Sequence, residues 1–411
     1  MKVLVIGSGG REHALVRKIG KSSRVEEVFV IRGNEAMARE ATIVDIAEHD
    51  HDAIVQFATE QAIDLVVVGP EQPLIDGLSD RLTAAGIKTF GPNSSAAQME
   101  GSKDFAKALM AKYNIPTAQY ETIENKADAI QYVKQHGTPI VIKYDGLAAG
   151  KGVVVAMDEA TAMDAINDFY TEEHAKVVFE EYLEGEEFSL MVMVNDDFCI
   201  PFDTIAQDHK RAYDGDKGPN TGGMGAYCPV SHISDDMIER TNQEIVYPVV
   251  QAMHKEGLNY FGILYVGAIV TIEGPKVIEF NARFGDPEAQ VLLRRLETDF
   301  IELIEAVENK QPLDLMWRNK TICGVVLASN GYPGSYDKGH VVKGYDYQTD
   351  YIVSALKQED GEWVTNGGRV MIALGEGDSL QEAQANSYQL VEHIQCDGMF
   401  YRKDIGNKGL V

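Results

Sequence analysis

The residue types best suited to chemistry in this chain of 411 residues lie in one run, Val277-Ile278-Glu279-Phe280-Asn281-Ala282-Arg283-Phe284-Gly285-Asp286. Alternate residues of a strand share a face. Ile278, Phe280 and Ala282 are therefore expected to enter a core, while Glu279, Asn281 and Arg283 line the other side. A carboxylate and an amide oxygen suit a hard cation such as Mg²⁺, and a guanidinium forks onto a phosphate or carboxylate. The plainer reading of the same run is a solvated strand face.

Other segments offer matching chemistry. Lys143 ends the apolar run Pro139-Ile140-Val141-Ile142, so its stem is expected to be partly buried and its ammonium directed to the sheet edge. Lys103 opens a helix whose N-cap is Ser102. Gly146-Leu147-Ala148-Ala149-Gly150-Lys151-Gly152 is one residue short of a Walker loop, and Gly152 stands where the magnesium-binding hydroxyl belongs. The segment joins two strands, which fits either a Gly-rich lid over phosphates or a structural hairpin. Gly7-Ser8-Gly9-Gly10-Arg11-Glu12 follows a strand and opens a helix, where amides bind phosphate. Glu12 at the sixth position, and no acid ending the second strand, disfavour a dinucleotide fingerprint. A sugar phosphate near Arg11 and a plain tight turn remain as readings.

Asp208–Gly225 supplies three cations, His209, Lys210 and Arg211, then amide-rich turns: a second anion cradle or a flexible loop. Val178–Glu187 carries five acids, which can serve a nucleoside or form an acidic surface turn. His49-Asp50-His51-Asp52 has metal-binding residue types without partners at ligand spacing and reads as a surface loop.

Strands are expected at Lys2–Ile6, Val28–Ile31 and Leu65–Val68, with helices at His13–Ile19 and Ile54–Gln61, the rhythm of a parallel α/β sheet. A second block has strands at Ile140–Lys143, Val153–Ala156 and Val177–Glu181 and a helix near Ala160–Tyr170. Asp203–Pro229 reads as a long polar loop, then Ile263–Ile272 and Lys276–Asn281 resume strand pattern. The last part has strands Cys323–Ala328 and Val370–Leu374 and a helix near Leu380–Ile394.

Composition bounds the function. Apolar residues make up 45% and charged residues 25%, as in a folded multidomain protein. Thirty-seven Lys and Arg against 64 Asp and Glu leave a net charge of −27, which repels a phosphate backbone and argues against nucleic-acid or anionic-membrane binding. No run approaches the roughly 18 apolar residues of a membrane span. The four cysteines lack CxxC spacing, so reduced thiols and a cytoplasmic setting are expected. The charge points to no protein partner.

Together these motifs resemble the ATP-grasp ligases, and among them the phosphoribosylamine–glycine ligase family. The resemblance runs through GSGGREHA (Gly7–Ala14), GPEQPLIDG (Gly69–Gly77), DGLAAGKGV (Asp145–Val153), HKRAYDGDKGPNTGGMGAY (His209–Tyr227), EFNARFGDPE (Glu279–Glu288) and YRKDIG (Tyr401–Gly406), covering the whole chain. It implies an ATP-grasp fold of mixed α/β and α+β domains. An N-terminal parallel-sheet domain would span 1–100 and an ATP-grasp region 101–320, with a lid at about 118–187. A C-terminal domain would cover 321–411. It implies that ATP, glycine and 5-phosphoribosylamine give ADP, phosphate and glycinamide ribonucleotide through a glycyl phosphate, a step of purine biosynthesis.

By that resemblance Lys103 and Lys143 hold phosphates under a loop including Gly146, Gly150, Lys151 and Gly152. Glu180, Glu181, Tyr182 and Leu183 form the adenine hinge, and Glu187 takes the ribose. Glu279 and Asn281 bind Mg²⁺ or Mn²⁺; Arg283, Lys143 and Asp286 serve catalysis. Gly9, Gly10, Arg11, Glu12, Lys210, Arg211, Asn220, Thr221, Gly222, Gly223, Met224 and Arg283 surround the small substrates. The chain departs from the family pattern in three places: Arg32 stands where Pro precedes Gly-Asn, Tyr144 replaces a small residue, and Ile263–Ile272 has no carboxylate. Other expectations consistent with parts of the pattern are an ATP-grasp ligase for a different acid, and a silent nucleotide binder.

Overall fold

A computed structural model describes residues 1–147, 152–171, 175–347 and 350–410. The chain opens as a five-stranded parallel sheet in the order β3-β2-β1-β4-β5. Its strands are β1 (Lys2–Gly7), β2 (Glu27–Arg32), β3 (Thr42–Val44), β4 (Leu65–Val68) and β5 (Thr89–Phe90). Val3–Ile6 and Leu65–Val68 are wholly buried, as apolar parallel strands covered on both faces must be. The first helix, Gly10–Ile19, begins three residues before the expected His13, because Glu12 turns back to accept the Gly9 N–H at 2.8 Å. His51–Glu60 also starts early, since Asp50 caps it by accepting the Ala53 N–H. The His49–Asp52 segment is thus a helix start, not a loop.

The small domain that follows has its own core. Strands β6 (Tyr120–Ile123), β7 (Ile140–Tyr144), β8 (Val153–Ala156) and β9 (Val177–Glu181) pair antiparallel in the order β6-β9-β7-β8. Ile140, Ile142 and Phe179 pack there with Ala129 and Val133 of the Lys126–His136 helix and Ile166 of the Glu159–Phe169 helix.

The chain continues through β10 (Glu186–Asn195) and β11 (Phe198–Pro201), then β12 (Gln207–Asp208), β13 (Arg211–Tyr213), β14 (Lys217–Asn220) and β15 (Gly225–Cys228). This corrects the long loop expected at Asp203–Pro229: its strands are too short, and too broken by Gly and Pro, to show a period. β16 (Phe261–Thr271) and β17 (Gly274–Asn281) complete the central sheet, ordered β11-β10-β16-β17. The C-terminal part adds β18 (Thr321–Ser329), β19 (Tyr351–Val353), β20 (Leu356–Glu359), β21 (Glu362–Thr365), β22 (Arg369–Gly377) and β23 (Met399–Phe400). Its main sheet runs β12-β15-β18-β22-β19, so the broken segment after β11 is stitched into the C-terminal sheet.

The N-terminal sheet domain and the C-terminal part meet around His13. The Val353 N–H donates to its Nδ1 at 2.9 Å, so the ring hydrogen sits on Nε2 and is given to Glu40 Oε2, also at 2.9 Å. Arg17 donates to Glu40 Oε1 at 2.6 Å and to Tyr351 O at 3.0 Å. Burial holds His13 below its ordinary pKa, and despite burial His13 and Arg17 pull Glu40 down to about 2. The unfolded chain protonates this histidine below about pH 6.5 whereas the folded chain resists it, so stability falls as pH drops through that value, by up to about 1.4 kcal/mol per unit for one group. His13→Asn is expected to flatten that acid slope in denaturant melts. Equal slopes in the two proteins would refute this linkage.

Candidate active site

β17 does not alternate throughout. Glu279 stands opposite Gly267 and Val277 opposite Ala268, leaving Ile278 as a bulge residue. Val277, Phe280 and Ala282 are therefore buried, while Ile278 is only half-buried, which corrects its expected place in the core. The bulge turns the Ile278 carbonyl toward Lys143, whose Nζ donates to it at 2.9 Å.

Arg283 is gripped from two sides. Its Nε lies 3.2 Å from Glu71 Oε2 and its Nη2 2.5 Å from Glu100 Oε1, and Nη1 donates to Phe284 O. Glu100 also accepts the Ala282 N–H at 2.7 Å, and Asn281 would donate to it at 3.2 Å with its amide turned nitrogen-inward. Burial, aided by Glu71 and opposed by Arg283, pushes Glu100 up to about 7. Glu71, although half-buried, is held at about 2 by Arg283 and Arg11. No motif marks Glu100, because its partner Arg283 is 183 residues away in the chain.

Lys143 is almost wholly buried, not directed to a sheet edge as expected: its Nζ meets Glu180 Oε1 at 2.9 Å. Glu180 is itself buried, so the acidic run from Val178 to Glu187 is not a uniform surface turn. Glu181 is exposed, Tyr182 and Leu183 are half-buried just after β9, and Glu187 lies in β10. Lys103 donates from Nζ to Gly146 O at 2.9 Å, and burial lowers its pKa. Asp145 accepts the backbone N–H groups of Lys103 and Asp104, so the start of the glycine loop is tied to the start of that helix. Gly152 lies beside β8; Gly150 and Lys151 fall outside the described residues.

A second cluster of expected site residues joins three parts of the chain. Both oxygens of Glu12 are engaged internally, by Gly9 N–H and by Arg11 Nε at 2.6 Å, so its carboxylate organises the loop beside Gly10. Arg11 also donates to Phe284 O at 3.1 Å. Asp286 is paired with Arg369 at 3.2 Å and accepts from Gln290 at 2.7 Å; Arg369 and Arg11 keep it ionised below the usual range despite its burial. Arg369, which no motif singled out, donates to Gly222 O at 2.6 Å and to Asp286 O at 2.7 Å. It thereby fastens the PNTGGMG turn to the end of the EFNARFGDPE run.

Within that turn, Thr221 Oγ1 donates to Lys210 O and accepts the Gly223 N–H, while Asn220 Nδ2 donates to Val153 O of the small domain at 3.4 Å. The Met224 side chain is in the core, which leaves only its backbone for a ligand. Arg211 donates to Gly218 O across the β13–β14 hairpin. His209 is buried and burial lowers it to about 4, so it is not the cation expected. Lys210 stands 3.4 Å from Glu187 and 3.8 Å from Glu279; burial disfavours its charge, but these carboxylates with Tyr265 and Asp208 raise its pKa.

The residues present fit a hard cation. Lys210, Lys143 and Lys103 overcome burial to hold Glu279 below the usual carboxylate range, so it is an ionised oxygen donor. Turned so that its nitrogen faces Phe280 O and Glu100, the orientation its surroundings favour, the Asn281 amide puts its oxygen on the opposite side, where it would serve as a second oxygen donor. Among the described residues no three His, Cys, Asp or Glu gather into a complete metal site, so these two oxygens would share the cation with other ligands.

The three departures noted in the sequence have local consequences. Arg32 adopts φ +71°, which a proline ring cannot reach, and Asn34 two residues on donates to Ser8 O and Val353 O. Tyr144 packs at 6.1 Å from the Phe169 ring. In β16, Tyr265 sits opposite Asn281 and shares a hydrogen bond with Ser189, which donates to Glu288.

Residues 1–100, 101–289 and 322–408 match the family models for the N domain, the ATP-grasp (A) domain and the C domain of phosphoribosylglycinamide synthetase. The phosphoribosylamine–glycine ligase of Halalkalibacterium halodurans is 50% identical, covering 100% of this chain and 97% of its own. That of Listeria monocytogenes is 49% identical over 99% of this chain and 100% of its own. The crystal structure of phosphoribosylamine–glycine ligase from Thermotoga maritima superposes with a TM-score of 0.86 at 32% identity, covering 98% of this chain and 100% of that one. A biotin carboxylase from Campylobacter jejuni, at 14% identity and a TM-score of 0.73 over 99% of this chain and 94% of its own, shares the fold alone. Matched along nearly its whole length to all three domains, the chain belongs to the phosphoribosylglycinamide synthetase family of ATP-grasp ligases.

Proposed function

We propose that the protein joins glycine to 5-phosphoribosylamine at the expense of ATP, giving glycinamide ribonucleotide, ADP and phosphate. The observation that carries this reading is the single face on which Glu279, Asn281 and Arg283 lie between the lysines of the nucleotide side and the Arg11–Asp286–Arg369 cluster. The glycine carboxylate attacks the γ-phosphate of ATP; the amine of phosphoribosylamine then attacks the carbonyl, and the phosphate leaves. No side-chain nucleophile is needed, because positioning and charge dominate phosphoryl transfer.

Lys103 and Lys143 hold phosphates, the segment from Glu180 to Leu183 receives the adenine and Glu187 the ribose. Arg283 faces the transferred group. Gly9, Gly10, Arg11, the turn from Asn220 to Met224 and Asp286 hold the small substrates. Mg²⁺ or Mn²⁺ at Glu279 and Asn281 supplies charge neutralisation when bound. The residue ranges 1–100, 101–320 and 321–411, with a lid at about 118–187, describe the working units; the separate core of the small domain supports the lid. No helix of the described residues is long and apolar enough to cross a membrane.

Release of ADP with Mg²⁺-ATP and phosphoribosylamine, with and without glycine, tests the reading. Release that needs both small substrates is expected. Release with another acid in place of glycine would overturn the substrate, and nucleotide binding with no turnover would overturn the reaction.

A further inference from the structure

The nucleotide side contains one buried charge more than the reaction uses. Lys107 lies four residues beyond Lys103 on the Lys103–Tyr113 helix, one turn on and on the same face. It is 2% exposed, yet no motif or phosphate role involves it. Its Nζ donates to Thr117 Oγ1 at 2.8 Å, meets Glu180 Oε2 at 3.1 Å and lies 5.6 Å from the centre of the Tyr120 ring. Thr117 in turn donates to Val277 O at 2.7 Å, which aims its lone pairs at the ammonium. Lys107 is therefore held by a hydroxyl, a carboxylate and a ring face, and no phosphate role draws it away.

Lys143 is held differently. It meets the other oxygen of Glu180 at 2.9 Å and the bulge carbonyl of Ile278 at 2.9 Å. One buried carboxylate thus carries two ammonium groups. Stranding a buried charge is costly, but a carboxylate with two ammonium partners keeps one when the other leaves.

We propose that Lys107 is a positioning residue for the nucleotide: it is the permanent counter-ion of Glu180, and so lets Lys143 turn from Glu180 to the ATP phosphates without stranding a buried carboxylate. This rests on the reading of Lys143 as a phosphate ligand. Without Lys107, Lys143 stays on Glu180 and nucleotide binding must break that pair. Burial lowers Lys107 to about 8, with Glu180 opposing the fall, which fits a buried ammonium stabilised by one carboxylate.

The test is Lys107→Met, read by calorimetric affinity for ADP and by KM for each substrate in the full-length enzyme. The KM for ATP should rise about 10-fold or more, the size of one lost charge-assisted contact. The KM values for glycine and phosphoribosylamine should stay within about 2-fold, and Lys107→Arg should recover most of the ATP term. In a Glu180→Gln background the same substitution should change the ATP term less than about 2-fold, because no carboxylate then needs neutralising. If Lys107→Met alone fails to fold, the double variant, which leaves no buried carboxylate unpaired, is compared with Glu180→Gln. An unchanged ATP term in Lys107→Met, or an equal loss in both backgrounds, overturns the proposal. Parent enzyme that binds ADP but ligates nothing would overturn the functional reading while leaving the calorimetric comparison intact.

Discussion

Arg283→Ala is expected to lower kcat by about 10²–10³-fold at saturating substrates, the usual effect of removing one donor aimed at developing charge. The guanidinium is buried and fixed by Glu71 and Glu100, so it enters the reaction already oriented. Arg283→Lys keeps the charge but loses the fork and should fall between the two. Stability should drop as well, because breaking a buried ion pair costs about 3–5 kcal/mol. The loss has a pH sign. Glu100, raised to about 7 in the folded protein, binds more protons there than in the unfolded chain between about pH 4.5 and 7. Its contribution to stability is complete below that window and fades as pH rises through about 7. Removing Arg283 raises Glu100 further, so the variant should lose less stability at about pH 6 than at about pH 8. Denaturant melts at both pH values check the second claim; kcat within about 3-fold of the parent would remove Arg283 from the chemistry.

The second large effect falls on Glu12. Its two oxygens hold the Gly9 N–H and the Arg11 guanidinium, and its stem fills the gap between β1 and β4. A Cβ at Gly7 would lie 2.5 Å from Glu12 Cγ, and one at Gly69 would come closer still to Glu12 Oε1, so both glycines exist to admit this side chain. Glu12→Ala strips Arg11 of its short ion pair, leaving Glu71 at 4.0 Å, and empties a packed site. A loss of about 3–5 kcal/mol is expected. Gly69→Ala should act on the same contact from the other side, at about 1–3 kcal/mol for overpacking. A melting midpoint unchanged by Glu12→Ala would show that the loop is organised by something else.

Much of this was legible in residue order, and the exceptions have physical causes. β4 at Leu65–Val68 and β9 at Val177–Glu181 have the bounds expected of them, and the Lys103–Tyr113 helix starts at its Ser102 cap. Phe280 and Ala282 are buried as period two requires, but the bulge at Ile278 is invisible in sequence because it depends on the register with β16. β12 to β15 were hidden because two-to-four-residue strands with Gly and Pro carry no period. The engaged partners Glu100, Lys107 and Arg369 were hidden for a different reason: each owes its role to residues distant in the chain, and a buried Lys or Glu looks like a surface one until its partner is known. His209 shows the converse, since burial removes the charge its residue type suggests.

The central claim is that the glycine carboxylate takes the γ-phosphoryl group of ATP. Turnover with glycine carrying ¹⁸O in both carboxylate positions tests it directly, by mass analysis of the phosphate released. One glycine oxygen in every phosphate is the predicted result, because the bridging oxygen leaves with phosphorus when the amine attacks. Unlabelled phosphate, formed while product accumulates, would contradict the account.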